Sequence, residues 1–245
     1  MTHFMTHSMS HDKTPDDIGL IRILQPETPS SFRLICFPGH MHATGRYLGL
    51  AELLLPTVEV LLIQYPGDSG DLGAYRPEPV GDSEELASKI FEALAGFTGS
   101  RLVFFGHRAG ARLAYRVAER LEREGAALLQ TLFVSGSNAP CVHAPLGPPT
   151  LCCRIVALAA DRDPGLTPAG VRAWRRCTSG RFDLETLSGA RGCLESHKRE
   201  VVNIVHDQLM SLSPFDPPDP PGPGGELRLF APTHHPRNPR TMDAE

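Results

Sequence analysis

The stretch LVFFGHRAGARLAYRVAERLE, residues 102–122, is typical of a buried strand that turns sharply into an amphipathic helix. Its first part is apolar as far as the junction G-H-R-A-G, whose central residue is Arg108. In its second part, Leu113, Val117 and Leu121 recur every four residues, which places them on one buried helix face. The strand, the turn and the helix together suggest one half of an α/β unit, with Arg108 presented at the turn.

Apolar runs and helical patterns alternate on both sides of this junction. Helical patterns cover about 82–97, 109–124, 168–177 and 196–212, and Asp82 and Ser83 can cap the first. The predicted strands are FRLICF (32–37), VEVLLIQY (58–65), RLVFF (101–105), TLFVSG (131–136), RIVALAA (154–160) and RFDLETL (181–187). This order predicts an α/β fold with a mostly parallel central sheet and helices on both faces. Ligands of such sheets bind at the carboxyl ends of the strands, where Arg108 stands.

The composition excludes several classes of function. With 245 residues, 41% of them hydrophobic and 21% charged, and a net charge of −4, the chain offers no basic surface for nucleic acid or anionic membranes. No apolar run is long enough for a membrane span, and the N-terminus lacks the apolar core of a signal peptide, so we expect a cytoplasmic protein. Six cysteines without a C-x-x-C pair are expected to be free thiols, and no metal or cofactor is expected.

The two ends differ from the middle of the chain. Residues 1–17 are polar and predict a disordered leader, within which Met5 or Met9 could be the true start instead of Met1. Residues 213–245 contain nine of the 23 prolines and predict a disordered tail. The α/β domain is therefore expected to span residues 18–212.

The junction G-H-R-A-G matches the nucleophile elbow G-x-S-x-G, except that arginine replaces the serine. From about residue 32 to residue 212 the chain resembles type II thioesterases, the stand-alone editing enzymes of polyketide and nonribosomal peptide pathways. The segments that carry this resemblance are LICFPGH, RYLGLAELLLPTVEVLLIQYPG, FFGHRAGARLAYRVAERLE, LFVSGSNAP and VALAADRDPGLTPAGVRAWRRCTSG. The resemblance implies an α/β-hydrolase fold that hydrolyses acyl groups from the phosphopantetheine arm of an acyl or peptidyl carrier protein.

The catalytic triad that the resemblance implies is incomplete in this chain. The family's serine corresponds to Arg108, its histidine to Arg191, and only its aspartate is retained, as Asp163. The oxyanion hole would use the backbone amides near His40 and at Ala109. The family's helical lid is also largely deleted, because only a short proline-rich linker, CVHAPLGPPTLCC, separates Pro140 from RIVALAA.

The sequence leaves open what the two arginines do. Arginine is protonated and not nucleophilic, so Arg108 cannot replace the serine. Arg191 could pair with Asp163 and seal the old site, because an unpaired buried carboxylate is costly. Alternatively, Arg108 and the helix amides could bind a phosphopantetheine phosphate or a substrate carboxylate.

Other side chains near the old site are weaker candidates for chemistry. His40 and His42 could perform acid–base catalysis on a bound substrate without a covalent intermediate. Ser135 and Ser137 are weak candidates for a relocated nucleophile, and His197 is expected to be a solvated surface residue.

Three functions follow from these observations. The first is a non-hydrolytic thioesterase-like protein that binds a carrier protein or another biosynthetic enzyme. The second is a repurposed enzyme that cyclises, eliminates or isomerises a pathway intermediate in the old cleft. The third is a thioester hydrolase with a relocated nucleophile.

Overall fold

A computed structural model describes residues 21–24, 30–40, 44–65, 84–97, 101–142, 148–189 and 193–212. The predicted leader 1–17, the predicted tail 213–245 and the predicted helix caps Asp82 and Ser83 lie outside these ranges.

The described residues form one seven-stranded sheet with helices on both faces. The strands are β1 (Ile21–Ile23), β2 (Phe32–Phe37), β3 (Val58–Ile63), β4 (Arg101–His107), β5 (Leu129–Ser135), β6 (Arg154–Ala160) and β7 (Phe182–Leu187). The α-helices are α1 (Thr44–Leu54), α2 (Glu84–Ala93), α3 (Ala109–Arg123), α4 (Pro168–Arg172), α5 (Cys193–Ser196) and α6 (Lys198–Met210). Short 3-10 helices cover Leu94–Phe97, Pro140–Val142 and Ala173–Cys177.

The sheet has the order β1-β3-β2-β4-β5-β6-β7, and every neighbouring pair is parallel except β1 with β3. The chain runs outward from β2 to β3 and then returns to β4 on the other side of β2. The carboxyl ends of β2 and β4 therefore form a topological switch point, where open α/β sheets bind their ligands. The turn at Arg108 lies at this point.

Alternating side chains of the strands separate the core into two layers. Ile35 and Phe37 of β2 pack into the layer covered by α2 and α3, whereas Leu34 and Cys36 face the layer covered by α1 and α6. The predicted helix face of α3 is confirmed, since its residues at four-residue spacing are all buried: Leu113, Val117 and Leu121. The mostly parallel sheet with helices on both faces is confirmed as well.

Strand β1 and helix α1 escaped prediction, as did the short helix α5 and the 3-10 turn Pro140–Val142. Strand β1 is only three residues long and pairs antiparallel with β3 at the sheet edge, so its pattern is too short to recognise. Helix α1 contains Gly45 and Gly49, which disfavour helices. It is stabilised by packing, because Tyr47 and Leu50 are buried against the sheet.

The connection from β5 to β6 contains no α-helix among its described residues, 136–142 and 148–153. Its one regular element there is the 3-10 turn Pro140–Val142. None of the described helices is long and apolar enough to cross a membrane.

We expect Gly110→Ala to lower the free energy of unfolding by about 3 kcal/mol, because a Cβ at this position would overlap the carbonyl oxygens of Phe37 and Pro38. Gly45→Ala is the matched control, since it is also helical but has nothing within 4 Å of an added Cβ. It should stabilise the protein by about 0.5–1 kcal/mol. Urea unfolding of both variants measures the difference, and equal effects would contradict the close contact of α3 with β2.

Candidate functional site

The backbone of the elbow is retained although the serine is absent. Arg108 has φ 56° and ψ −122°, which costs a residue other than glycine about 1–2 kcal/mol. Its amide donates to the carbonyl oxygen of Ser135 at 2.8 Å, and its carbonyl oxygen accepts from the amide of Ala111 at 3.1 Å. The end of β4 and the first turn of α3 therefore hold Arg108 in the strained conformation that would present a nucleophile.

Small residues around Arg108 allow the chain to pack this closely. A Cβ on Gly39 would lie 2.6 Å from the Cβ of Arg108, and one on Gly106 would overlap the backbone of Ala111. Together with Gly110, these positions bring the loop after β2 against the elbow. The glycines of G-H-R-A-G are thus required by packing, whatever side chain stands between them.

The side chain of Arg108 forms an ion pair with the retained aspartate. Nη1 of Arg108 lies 2.7 Å from Oδ2 of Asp163, whose side chain is only 1% exposed, whereas that of Arg108 is 28% exposed. The other oxygen, Oδ1, accepts from the amide of Gly165 at 2.9 Å. An ion pair of this length offsets part of the cost of burying the carboxylate of Asp163.

From the sequence, a different arginine is the predicted partner of this carboxylate. Arg191, the predicted partner of Asp163, lies outside the described residues, as does His42. The Arg191 pairing therefore stays a prediction, and the described contact of Asp163 is with Arg108. The ion pair between Arg108 and Asp163 links the end of β4 to the loop after β6.

His107, next to the elbow, is buried and engaged with Ser135. Its Nδ1 lies 3.1 Å from the hydroxyl oxygen of Ser135. Burial is the main cause that lowers the pKa of His107 to about 3; the charges of Arg108 and Arg46 contribute to this lowering, and the charge of Asp163 opposes it. His107 is thus neutral near pH 7 and a weak base.

His40 contacts Arg46 at the start of α1. Its Nε2 lies 2.8 Å from Nη1 of Arg46, and because a guanidinium only donates, Nε2 is the acceptor. The lone pair that general-base catalysis would need is therefore occupied by Arg46. The two predicted oxyanion amides lie at this end of the sheet, and that of Ala109 is the first of α3, with no acceptor in its own helix.

Sequence reasoning missed two residues of the site and misjudged a third. Arg46 gave no signal beyond being a charge in a loop-like segment. Asn138 bridges the end of β5 to the aspartate loop, since its side chain donates to the carbonyl oxygen of Gly165 and accepts from the amide of Thr167. The expectation of a solvated His197 holds only in part, because the residue is half-buried and its Nδ1 is buried with no hydrogen-bond partner among the described residues.

The arrangement can bind an anion but has no exposed nucleophile among the residues described around the elbow. Ser135 is fully buried. The hydroxyl of Ser137 donates to the carbonyl oxygen of Asn138 at 3.2 Å, and no described base is paired with it. Arg108 and Arg46 both contribute to lowering the pKa of His107, and the amide of Ala109 is the first of α3, next to Arg108.

We expect acid to destabilise the fold through His107. The unfolded chain takes up this proton near pH 6.5 and the folded chain only near pH 3, so the unfolded state binds more protons between these values. The free energy of unfolding should fall with falling pH in this window, by up to about 1.4 kcal/mol per pH unit. His107→Asn keeps a polar partner for Ser135 without the titration. Urea unfolding at several pH values should show a shallower dependence for this variant, and identical slopes would contradict the buried neutral imidazole.

We expect Arg108→Ala to destabilise the protein by about 2–3 kcal/mol, because it leaves the buried carboxylate of Asp163 without this guanidinium. Alanine and arginine have a similar energetic cost at positive φ, so this variant reports the loss of the Arg108 side-chain contacts alone. Adding Asp163→Asn should recover part of the loss, and a double-mutant cycle measures this coupling. The exposed Arg112→Ala is the control and should change stability by less than about 0.5 kcal/mol. Additive effects of the two site variants would contradict the ion pair.

Comparisons with known proteins place this chain in a family. The family model of the thioesterase domain matches residues 32–151. The thioesterase PikA5 of Streptomyces venezuelae is 30% identical over 250 aligned positions, which cover 79% of this chain and 87% of that protein. A probable cadicidin biosynthesis thioesterase of Streptomyces griseus is 36% identical over 130 positions, which cover 52% of this chain and 35% of that protein.

Solved structures agree with these sequence matches. The type II thioesterase BorB, from the borrelidin biosynthetic cluster, superposes with a TM-score of 0.67 at 30% identity, covering 78% of this chain and 96% of BorB. RedJ, a thioesterase from the prodiginine pathway of Streptomyces coelicolor, superposes with a TM-score of 0.62 at 29% identity, covering 75% of this chain and 90% of RedJ. The predicted α/β-hydrolase fold and the predicted resemblance are thereby confirmed. This chain therefore belongs to the thioesterase family and is related to its type II members.

Proposed function

We propose that the chain is a thioesterase-like protein of polyketide or nonribosomal peptide biosynthesis that binds a carrier protein or another pathway enzyme without hydrolysing thioesters. The observation that carries this proposal is the ion pair between Arg108 and Asp163, which occupies the position of the nucleophile and engages the catalytic acid. The similarity to thioesterases of biosynthetic pathways supports a role of this chain in such a pathway.

Ordinary acyl hydrolysis needs a hydroxyl, a base that takes its proton and a group that orients the base. Arg108 supplies no hydroxyl and accepts no proton. Asp163 is not free to orient a base, because its Oδ2 lies 2.7 Å from Nη1 of Arg108. The sequence offers Arg191 instead of a histidine at the base position.

The serine–histidine contact described near the elbow does not support a relocated nucleophile. Ser135 and His107 lie 3.1 Å apart, but Ser135 is completely buried and His107 has its pKa lowered to about 3. A thioester carbonyl cannot reach this hydroxyl, and the imidazole is a poor base near neutral pH.

The retained fold supports a binding role. The strained elbow persists at a cost of about 1–2 kcal/mol, and the loop contacts of Asn138 hold the aspartate segment in place. A carrier protein presents a negatively charged phosphopantetheine arm, and the partly exposed Arg108 with the first amide of α3 suits such an anion.

The cluster of Arg108, Arg46 and His40 at the switch point favours a second candidate, a non-covalent enzyme acting on a bound pathway intermediate. Such an enzyme would cyclise, eliminate or isomerise the acyl group and leave it on its carrier. Against this candidate stands His40, whose Nε2 is already occupied by Arg46.

Intact-mass spectrometry of acyl-loaded carrier protein tests the proposal. We expect the acetyl group of a loaded acyl carrier protein and the aminoacyl group of a loaded peptidyl carrier protein to be lost no faster with the protein than in buffer. Arg108→Ser combined with Arg191→His tests whether the scaffold still accepts the thioester, and Arg123→Ser, an exposed position at the far end of α3, is the control. Hydrolysis by the unaltered chain would overturn the proposal. Loss of water from the acyl group while it stays on its carrier would favour the second candidate.

The binding role has its own readout. Fluorescence anisotropy of labelled, loaded carrier proteins should show saturable binding with a Kd of about 1–100 µM, typical of transient interfaces. Absence of binding to both carrier types, together with absence of hydrolysis, would contradict a carrier-protein partner.

A further inference from the structure

Two thiols that are 36 positions apart in the chain meet beside the aspartate loop. Sγ of Cys141 lies 3.2 Å from Sγ of Cys177. Cys141 belongs to the 3-10 turn that follows β5, and Cys177 ends the 3-10 helix that follows α4. In the described chain both are reduced, so the expectation of free thiols holds for them, but their juxtaposition was not predicted.

Several hydrogen bonds fix the two segments against each other. The amide of Ala139 donates to the carbonyl oxygen of Gly170 at 2.9 Å, and Nε1 of Trp174 donates to that of Ser137 at 2.9 Å. The thiol of Cys141 donates to the carbonyl oxygen of Ala173 at 3.3 Å. Because the sulfurs are held in contact, bond formation at about 2.0 Å requires them to approach by only about 1.2 Å.

The two thiols differ in access to solvent. Cys177 is buried, whereas Cys141 is half-buried, so Cys141 is the thiol that a reagent would meet first. Burial raises the pKa of the Cys177 thiol, with a further contribution from Cys141. The remaining described cysteines have no such neighbour: Cys36 is buried in the sheet, Cys152 is exposed, and Cys153 lies buried beside the carboxylate of Glu122.

We propose that Cys141 and Cys177 form a reversible intramolecular disulfide when the protein meets a low-molecular-weight disulfide. The thiolate of Cys141 attacks one sulfur of the reagent and releases one equivalent of its thiolate. Cys177 then loses its proton and attacks Sγ of Cys141, which expels the second reagent thiolate. Two protein thiols are oxidised and one reagent disulfide is reduced to two thiols, so atoms and electrons balance.

The disulfide would fasten the segment after β5 to the end of the aspartate-bearing segment. It closes a loop of 36 positions that includes Asp163, and it restricts the unfolded chain more than the folded one. The oxidised protein should therefore resist heat better. This modification site is independent of thioester hydrolysis and of carrier binding, so its test stands whatever the outcome for the proposed function.

Treatment of the full chain with excess oxidised glutathione tests the site. We expect one cross-linked peptide pair containing Cys141 and Cys177, about 2 Da lighter than the two reduced peptides together, and loss of the reaction of both of these thiols with a maleimide after denaturation. The Tm should rise by about 5 °C, and dithiothreitol should reverse both changes. Cys152→Ser, an exposed position, is the control and should leave the cross-link and the Tm shift intact.

Cys141→Ser should abolish the cross-link and the Tm shift, and Cys177→Ala provides the same test from the buried side. Since Cys141 is half-buried, its variant keeps the comparison valid even if Cys177→Ala fails to fold. Stable glutathione adducts on Cys141, a cross-link between Cys152 and Cys153, or a native thiol content unchanged after prolonged oxidation would each overturn the proposal.

Discussion

The ion pair between Arg108 and Asp163 joins the two chain segments on which thioesterase chemistry depends. One partner stands at the strained end of β4 and the other in the loop after β6, and their charged atoms lie 2.7 Å apart. A carboxylate that is 1% exposed requires a charged or strongly donating partner. Arg108 is that partner for Asp163, and the ion pair offsets part of the cost of burying the carboxylate.

The elbow backbone persists without its nucleophile because its geometry is set by packing and not by chemistry. Gly106 and Gly110 lie against the backbones of α3 and of the loop after β2, where no larger residue fits. Positive φ at Arg108 follows from these contacts and from the hydrogen bond to Ser135. A site assembled in this way can change its central side chain at a cost of about 1–2 kcal/mol without losing its shape.

The fold was largely predictable, and the contacts of the site were not. Six apolar runs gave six parallel strands because buried parallel strands need continuous apolar sequence. Strand β1 is too short for such a pattern, and α1 contains glycines that only tertiary packing overcomes. The motif located Arg108 and Asp163, but their contact depends on the length and direction of the Arg108 side chain. Likewise, the burial of His107 and the contact of Cys141 with Cys177 depend on how the loops fold over the carboxyl ends of the strands.

The proposal that the elbow carries no functional nucleophile is tested most directly by covalent labelling. An alkyl fluorophosphonate bonds to activated serine hydroxyls, so intact-mass analysis after incubation reports any functional nucleophile. We predict that the mass of the chain stays unchanged, because Arg108 fills the nucleophile position and Ser135 is fully buried. A stoichiometric adduct on Ser135, Ser137 or any other serine, suppressed by acyl-loaded carrier protein, would contradict the account.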